Sequence, residues 1–404
     1  MKKNLLVAQS GGPSAVINST LAGVIQRALI SDEIGRILGG VHGIKGVMED
    51  NIVELDMYNT AQISLLTRTP ASALGTCRFK LKNDPAEFKI ITDTFKKHNV
   101  GYFVYIGGND SMDTVLQLSK YCEEQKMDVR VVGAPKTIDN DLMEMDHTPG
   151  FGSAAKYIAA SITEIFCDVV AFDIKALTII EVMGRNAGWL TAAAALSSVN
   201  GGPAPHFIYL PEVAFSEEKF LADIKAQFEK TPYVLAVVSE GVKTADGAYI
   251  CEQGAARSKD AFGHTALSGT ASYLAGLAQA ELGCKVRPIE FSLLQRCAAH
   301  LASATDVAEA KVLGSAALTA ALSGQTGVMS RLLRTSTDPY RVEYGIIETS
   351  KVANHEKRVP LEWLNAEKNN VNEKMIEYLL PLIQGESVIN FKNGVPEFYP
   401  AIRK

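Results

Sequence analysis

The sequence predicts an α/β protein built on doubly wound sheets, and two observations carry that prediction. Short, almost continuously apolar runs alternate with longer segments of helical periodicity up to about residue 320. Runs that are apolar at nearly every position are typical of parallel strands covered by helices on both faces. A chain of 404 residues that is 47% apolar can also bury more than one compact core.

Six apolar runs are predicted to form strands, and four of the segments between them to form helices. The predicted strands cover residues 5–8, 102–106, 129–132, 177–182, 207–210 and 233–238. The predicted helices cover residues 14–29, 111–125, 152–166 and 187–198. In such folds ligands bind where the carboxyl ends of strands turn into the next helices, so candidate sites are expected in those turns.

The chain after about residue 325 has a different character. Charged residues and asparagines dominate it, and one amphipathic helix is predicted around residues 371–383. We interpret this stretch as a terminal extension that folds back on the body, where it can reach a subunit contact.

The overall composition argues against several classes of function. With 40 Lys and Arg against 45 Asp and Glu, the net charge of −5 gives no sign of a nucleic-acid or anionic-membrane partner. The six cysteines show no CxxC spacing, as expected for free thiols in a reducing compartment. No apolar stretch approaches the roughly 20 residues that cross a bilayer, so a soluble cytoplasmic protein is expected.

The turn after the first predicted strand carries adjacent glycines, Gly11 and Gly12, and leads into a helix. Such a pair lets backbone N–H groups approach an anion, and the amino terminus of the helix adds a favourable dipole. The turn is therefore a candidate phosphate site, although taken alone it fits a tight connection without a ligand equally well.

The turn after the second predicted strand repeats the glycine pair and adds an amide and a carboxylate. Gly108, Asn109 and Asp110 stand directly before a helix. Mg²⁺ prefers few protein oxygens together with substrate phosphate oxygens, so Asn109 and Asp110 are candidate ligands for Mg²⁺ beside a phosphate. Asp110 or Ser111 can also cap the helix, and the two roles can coexist.

The third turn combines a lysine with a hydroxyl group and two carboxylates. Lys136 is followed by Thr137, Asp139 and Asp141, which point to the same side if the segment is extended. A carboxylate beside a sugar hydroxyl can accept its proton while the oxygen attacks phosphorus. The turn therefore predicts a general base, and a solvated acidic loop is the alternative.

Later turns offer groups that suit a phosphorylated substrate. Gly184 allows close approach of a ligand, and the guanidinium group of Arg185 offers a planar pair of donors. Singly, such residues are more often structural than functional. The set comprises Met183, Gly184, Arg185, Glu240, Arg287 and Arg296.

Taken together and in this order, the motifs resemble the phosphofructokinase family over about residues 3–320. The most specific elements are the run Thr137-Ile138-Asp139-Asn140-Asp141 and the triplet Met183-Gly184-Arg185. The resemblance implies two Rossmann-like doubly wound lobes with the active site in the cleft between them, plus a C-terminal extension. The expected donor lobe covers residues 1–140, completed by about 285–305, the fructose 6-phosphate lobe 141–284, and the extension 306–404.

The resemblance also implies an activity and roles for single residues. The activity is Mg²⁺-dependent transfer of a phosphoryl group to the 1-hydroxyl of fructose 6-phosphate, in glycolysis or gluconeogenesis, by a homodimer or homotetramer. Asp139 would be the general base, and Arg78 would lie near the transferring phosphoryl group. The donor would be bound by Gly11, Gly12, Gly108 and Lys136. The sugar phosphate would be bound by Thr137, Ile138, Asp139, Asp141, Met183, Gly184, Arg185, Glu240, Arg287 and Arg296.

Two positions indicate that pyrophosphate rather than ATP is the donor. ATP-using relatives typically have glycines where this chain has Asp110 and Lys136. A carboxylate at position 110 would stand where the anionic α-phosphate of a nucleotide lies, and Lys136 would supply a cation for pyrophosphate. The resemblance implies that the reaction with pyrophosphate is close to reversible. Asp139, Lys136, Asp110 and Arg78 form the expected catalytic set.

Several alternatives stay open at this point. Asn109 stands where the family usually has an acidic Mg²⁺ ligand, so the residue that holds the metal is open. An ATP-dependent phosphofructokinase, a related acceptor such as sedoheptulose 7-phosphate, and a regulatory subunit are the other candidates, and a regulatory subunit should lack the base at Asp139. A nicotinamide dehydrogenase is disfavoured, because no G-x-G-x-x-G follows the first strand.

Overall fold

The computed structural model describes residues 2–56, 58–82, 84–202, 204–253 and 267–402. The strands are β1 (Lys3–Gln9), β2 (Ile34–Gly40), β3 (Ile52–Glu54), β4 (Val100–Gly107), β5 (Arg130–Pro135), β6 (Ala176–Val182), β7 (Phe207–Tyr209), β8 (Tyr233–Ser239), β9 (Lys285–Glu290), β10 (Val328–Thr337), β11 (Tyr340–Glu348), β12 (Phe391–Lys392) and β13 (Val395–Pro396). The helices are α1 (Ile17–Leu29), α2 (Gly43–Met48), α3 (Thr60–Thr67), α4 (Pro85–Lys97), α5 (Asn109–Glu124), α6 (Phe151–Val170), α7 (Trp189–Ala192), α8 (Glu217–Phe228), α9 (Thr270–Leu282), α10 (Leu294–Cys297), α11 (Ala304–Leu322) and α12 (Glu373–Leu379). Among the residues so described, no helix has the length and apolarity that a membrane span needs.

The chain divides into two compact units. The first contains residues 1–153, 296–356 and 383–404, and the second contains residues 154–295 and 357–382. The last hundred residues are therefore shared between the units. The lobe boundaries expected from the sequence stay a prediction, and residues 254–266 of the expected fructose 6-phosphate lobe lie outside the described residues.

The first unit is built on a seven-stranded sheet with the order β11-β10-β5-β4-β1-β2-β3. Strands β1, β2, β4 and β5 run parallel, and β10 joins β5 in the same direction. The edge strands β3 and β11 are antiparallel to their neighbours. Because β1, β4 and β5 are parallel neighbours, the turns at their carboxyl ends lie side by side.

Both faces of this sheet are covered by helices. Alternate residues of β1 belong to different cores, as expected for a strand whose side chains point to opposite faces. Leu5 and Val7 pack with residues of α1 and α11, whereas Leu6 and Ala8 pack with residues of α4 and α5. Complete burial of each leucine contributes about 2 kcal/mol to folding. The doubly wound α/β architecture predicted from the apolar runs is confirmed.

Helices α1 and α11 approach each other at two glycines. A Cβ atom on Gly23 would lie 1.9 Å from the backbone oxygen of Lys311, and one on Gly314 would lie 2.0 Å from the backbone oxygen of Thr20. Only glycine permits this separation of the two backbones. The contact fixes α1, the helix that follows the candidate phosphate turn.

The second unit is built on a four-stranded parallel sheet with the order β7-β8-β6-β9. Strands β6 and β8 are neighbours, so the turns that follow Val182 and Ser239 are adjacent. The buried carboxylate of Glu181 accepts hydrogen bonds from the N–H groups of Gly269 and Ala271. This contact ties the amino terminus of α9 to β6.

One predicted helix differs from the structure. The segment 187–198 forms the short helix α7, and residues Ala193–Gly201 continue as 3₁₀ turns. The hydroxyl groups of Ser197 and Ser198 donate to the backbone oxygens of Ala194 and Ala195 at 2.9 and 2.7 Å. These bonds reach three residues back, which favours the tighter helix.

The C-terminal segment also contains more regular structure than predicted. The hairpin β10–β11 extends the large sheet, whereas the sequence predicted only a helix after residue 325. That helix is α12, followed by a 3₁₀ turn at Leu380–Ile383. Strand β11 lies at the sheet edge with most residues exposed, so it lacks the continuous apolar run that marks a buried strand.

Candidate active site

Three of the predicted turns meet at the carboxyl edge of the first unit's sheet. They follow β1, β4 and β5, and backbone hydrogen bonds join them. The N–H of Ser10 donates to the oxygen of Ile106 at 2.8 Å, and the N–H of Lys136 donates to the oxygen of Gly107 at 2.9 Å. The first, second and third turns therefore form one continuous surface.

Lys136 lies over the first glycine turn. Its Nζ donates to the backbone oxygen of Gly12 at 2.7 Å, although only 3% of the residue is exposed. Gly11 has a φ of +74°, and a Cβ atom there would lie 3.2 Å from Nζ. Glycine at position 11 therefore serves both the left-handed backbone and the close approach of the ammonium group.

The charges around Lys136 define the electrostatics of the site. Burial lowers the pKa of Lys136 to about 8; Arg296 and Arg78 also lower it, whereas Asp139 and Asp141 raise it. These four side chains come from different parts of the first unit. The structure thus gathers two cations and two carboxylates around one buried ammonium group.

The two arginines are held close to the glycine turn. The NH1 atom of Arg296 lies 3.0 Å from the position that a Cβ atom would take on Gly12. Arg78 belongs to a loop that Thr76 anchors, because the Thr76 hydroxyl donates to the backbone oxygen of Gly11 at 2.7 Å. The predicted donor-binding glycines and these predicted cations are therefore neighbours.

The segment that carries Asp139 bends, so the extended conformation in which residues 137, 139 and 141 would point to the same side is not adopted. The N–H of Asp139 donates to Oγ1 of Thr137 at 3.1 Å, which turns the chain on itself. Asn140 then adopts the left-handed region with a φ of +55°. A hydroxyl group two residues back competes with the extended backbone, as is typical of threonine in turns.

Further hydrogen bonds close the loop that follows Asp139. The fully buried Asn140 accepts from the N–H of Thr148 at 3.1 Å through Oδ1. The Thr148 hydroxyl donates to the backbone oxygen of Thr137 at 2.8 Å. At the end of the loop, the buried carboxylate of Asp306 accepts from the N–H of Gly150 at 2.9 Å. The loop is therefore fastened at its start and its end, which holds Asp139 in one place.

The second turn opens helix α5. Gly108 is the N-cap residue and makes no side-chain cap, so the capping role considered for Asp110 or Ser111 is wrong. The Asp110 side chain lies in the first turn, about half-exposed, with its Oδ1 3.6 Å from Nζ of Lys80. The Asn109 oxygen considered as a Mg²⁺ ligand accepts the N–H of Asn354.

The described residues contain no group of three or more His, Cys, Asp and Glu side chains that could hold a metal ion. Asp110 is a single carboxylate at the amino terminus of a helix. Such a site suits Mg²⁺, which is commonly bound by one or two carboxylates together with substrate phosphates.

The fourth predicted turn lies in the second unit, beside the turn after β8. The N–H of Gly184 donates to Oε1 of Glu240 at 3.4 Å, and the N–H of Met183 donates to Oε1 of Gln295 at 3.2 Å. A Cβ atom on Gly241 would lie 2.0 Å from the oxygen of Arg185, so the two turns are in direct contact. The structure therefore brings Met183, Gly184, Arg185 and Glu240 together.

Arg287 is not brought to this group. It lies within β9, paired with Thr178, which is four residues before the carboxyl end of β6. Its guanidinium group contacts the ring of Phe172 at 5.3 Å and the carboxylate of Asp168 at 3.9 Å. The role predicted for Arg287 in sugar-phosphate binding stays a prediction.

Sequence reasoning missed residues that shape the site from beneath. Gln9 and Asn18 are fully buried and bonded to each other at 2.9 Å, and Gln9 Oε1 accepts from the N–H of Leu74. They hold the loop that leads to Arg78. Their signal was present, because an amide side chain at the end of an apolar strand needs a buried partner. Asp306 gave no such signal, since its partners lie about 150 residues away.

The chain is similar to known proteins both in sequence and in structure. Residues 4–321 match the phosphofructokinase family. The chain is 39% identical to a pyrophosphate–fructose 6-phosphate 1-phosphotransferase of Methylococcus capsulatus and 41% identical to one of Xanthomonas campestris, covering 98% of this chain and 95% of each relative. It is also similar to the crystal structure of a pyrophosphate-dependent phosphofructokinase from Marinobacter aquaeolei, with a TM-score of 0.90 and 36% identity over 100% of this chain and 97% of that one.

Proposed function

This chain belongs to the phosphofructokinase family, and on that premise we propose that it transfers a phosphoryl group from pyrophosphate to fructose 6-phosphate. The products are fructose 1,6-bisphosphate and phosphate. The observation that carries the proposal is the buried ammonium group of Lys136, which lies on the Gly12 oxygen among the charges of two arginines and two aspartates. The activity named for full-length relatives supports it.

Asp139 is the proposed general base. Its carboxylate accepts the proton of the sugar 1-hydroxyl as that oxygen bonds to the transferring phosphorus, and the bond from phosphorus to the leaving phosphate oxygen breaks. The closed loop around Asn140 and Thr148 favours this role, because a base must hold its position within hydrogen-bond reach of the proton.

Lys136 and Arg78 are the proposed stabilisers of the transferring phosphoryl group. Phosphoryl transfer requires mainly positioning and stabilisation of charge on the phosphate oxygens. A cation in a buried, largely water-free position acts more strongly than one in solvent, and Lys136 is 3% exposed. The glycines at positions 11, 12 and 108 leave room for the donor beside these cations.

Asp110 and Lys136 are the proposed determinants of donor choice. Asp110 is half-exposed in the first turn of α5, where a glycine would leave space for the α-phosphate of a nucleotide. Its negative charge disfavours that phosphate, whereas Lys136 favours the more compact pyrophosphate. An ATP-dependent enzyme would require both side chains to move aside.

We propose Mg²⁺ as the cofactor, held by Asp110 and by oxygens of the substrate. Bound Mg²⁺ supplies positive charge that offsets the charge of the phosphate oxygens. The Lys80 ammonium group is 3.6 Å from Asp110, so this carboxylate already lies in a position that attracts cations.

The residues proposed to bind the acceptor are those predicted from the sequence. Arg185, supported by the contact between its turn and Gly241, suits the 6-phosphate because its guanidinium group can donate two parallel hydrogen bonds. The full proposed set is Thr137, Ile138, Asp139, Asp141, Met183, Gly184, Arg185, Glu240, Arg287 and Arg296. A related sugar phosphate such as sedoheptulose 7-phosphate is the alternative acceptor.

We further propose that the protein acts in the cytoplasm as a homodimer or homotetramer. Val170, Phe172 and Ile174 are 40 to 47% exposed in the second unit, and an exposed apolar strip of this kind favours contact with another chain. The structure places none of the six cysteines, all of which lie in its described ranges, in a disulfide, in keeping with a reducing compartment.

The direct test is formation of fructose 1,6-bisphosphate from fructose 6-phosphate and Mg²⁺, with pyrophosphate and ATP supplied in separate reactions. We expect product with pyrophosphate and little with ATP. Product with ATP alone would overturn the donor assignment. No product with either donor would reject fructose 6-phosphate as the acceptor and favour another sugar phosphate or a regulatory role.

A further inference from the structure

The segment at residues 352–355 lies beyond the family match, which ends at residue 321, and it contacts the first turn of α5. Asn109 Nδ2 donates to the backbone oxygen of His355 at 2.6 Å, and the N–H of Asn354 donates to Asn109 Oδ1 at 2.6 Å. Asn354 Nδ2 also donates to Oδ1 of Asp113 at 3.1 Å. Three hydrogen bonds therefore join this segment to α5.

The amide of Asn109 uses both of its ends at once. A carboxylate could accept the N–H of Asn354, but it could not donate to the oxygen of His355, and the two oxygens would repel each other. These two hydrogen bonds explain why an amide stands at position 109, where the family resemblance predicts an acidic residue. The hydrogen bond from the N–H of Asn354 also occupies one side of the Asn109 amide oxygen, which a metal ion would need as its ligand.

The segment itself is firmly anchored. Val352 and Ala353 are buried and pack in one cluster with Met112 of α5. Asn354 has a φ of +62°, a conformation that asparagine tolerates better than most residues. Asp113 is fixed from the other side by Gln117 Nε2, which donates to its Oδ2 at 2.6 Å.

We propose that residues 352–355 form a clamp that positions the first turn of α5, and with it Gly108 and Asp110, for pyrophosphate binding. Asn109 is then a positioning residue that acts through the backbone of α5 and does not ligate the metal. The inference rests on the proposed function, because it concerns the binding of that donor.

Two variants and one control test the clamp. Asn109→Asp removes the donor to His355 and keeps the acceptor, and Asn354→Gly keeps the left-handed backbone and removes the bond to Asp113. The control is Asn99→Gly. It removes the hydrogen bond that Asn99 Nδ2 donates to the backbone oxygen of Lys2 at 3.0 Å, just before the amino end of β4. Steady-state kinetics with each substrate and hydrogen exchange of residues 352–355 are measured on the full chain.

For both variants we expect the KM for pyrophosphate to rise roughly 3- to 10-fold, the effect of about one hydrogen bond. The KM for fructose 6-phosphate and the kcat at saturating pyrophosphate should stay within about twofold of the native values. Exchange at residues 352–355 should become faster, and the control should behave as native.

Three results would overturn the inference. The first is an unchanged KM for pyrophosphate in active variants, whether or not hydrogen exchange at residues 352–355 becomes faster. A changed Mg²⁺ requirement in Asn109→Asp with native exchange would make Asn109 part of a metal site instead. A native enzyme that is silent with pyrophosphate would overturn the proposed function itself, and the inference with it.

Discussion

The chemistry assigned here depends on a few residues whose surroundings differ sharply. Asp139 lies in a loop closed by Asn140 and Thr148, whereas Asp110 is half-exposed at a helix amino terminus. The first environment suits a base that must keep one position. The second suits a carboxylate that meets a metal ion or a large phosphate from solvent.

Replacing Asp139 by asparagine should reduce kcat by about 10² to 10⁴, because the variant keeps the size of the side chain but cannot accept a proton. Asp128→Asn is a suitable control, since its side chain is 74% exposed at the opposite end of β5. Both variants should melt near the native temperature. Near-native turnover in Asp139→Asn would remove Asp139 from the role of base.

The depressed pKa of Lys136 predicts a pH dependence of donor binding. In the native enzyme kcat/KM for pyrophosphate should fall as the pH rises through about 8, because the free enzyme loses the ammonium charge there. Lys136→Arg keeps its charge and should not show this fall. The ionisation of pyrophosphate affects both enzymes equally, so the comparison isolates the lysine. Identical pH profiles would contradict the prediction.

The same shift has a consequence for stability. The folded chain holds the Lys136 proton less tightly than the unfolded chain, whose lysine titrates in its ordinary range. Between about pH 8 and the ordinary titration range of lysine, the unfolded state therefore binds more protons than the folded state. The contribution of this group to the free energy of unfolding rises with pH across the window.

At the scale of elements, the six strands predicted from the sequence are largely buried, and most of the missed strands are more exposed. Strand β2 is the exception, because it is buried at five of its seven positions but its glycines and Arg36 interrupt the apolar run. Strands β4 and β8 are apolar at almost every position and are confirmed within two residues. Strands β9 and β11 carry exposed residues along much of their length, so their sequences lack that signal. The pairing of β10 with β5 joins segments about 195 residues apart, which no local pattern can indicate.

In the candidate site too, local sequence patterns predicted some features, whereas others depend on contacts between distant residues. Glycine pairs, the lysine and the carboxylates were predicted because strand-to-helix turns require such residues to bind phosphate. The bend at Asn140 depends on Thr148, and the support of Gly150 depends on Asp306. Those contacts arise only after folding. The sequence therefore predicts which groups act, and the fold shows how those groups are held.

The crossing of α1 and α11 gives a prediction at this scale. Gly314→Ala should lower the free energy of unfolding by roughly 1 to 3 kcal/mol, because the added methyl group would lie 2.0 Å from the backbone oxygen of Thr20. Gly276→Ala in α9 is the matched control, since no atom beyond its chain neighbours and its own helix backbone lies within 4 Å of its Cβ position. It should be neutral or stabilising by up to about 1 kcal/mol.

Urea denaturation of the two variants checks this prediction. A native-like midpoint for Gly314→Ala would show that the helices can separate without cost. Reduced activity of Gly314→Ala is also expected, since α1 follows the glycine turn that carries Gly11 and Gly12.

For the whole molecule, the sheet of the first unit collects groups from distant parts of the chain. Arg78, Lys136 and Arg296 lie far apart in sequence, yet the charges of both arginines act on the buried ammonium group of Lys136. The segment beyond residue 321 adds two strands to this sheet and contacts the helix that carries Asp110. The proposed donor site is therefore a property of the assembled unit rather than of a single motif.

The central claim is that Asp110 and Lys136 select pyrophosphate, and the most direct test is kcat/KM for pyrophosphate and for ATP in the native enzyme and in the Asp110→Gly/Lys136→Gly double variant. We predict that use of pyrophosphate falls on the order of 10- to 100-fold, as expected for the loss of a charge-assisted contact. Use of ATP should rise, because the space and charge at position 110 no longer exclude its α-phosphate. Unchanged pyrophosphate kinetics in the double variant would contradict the claim.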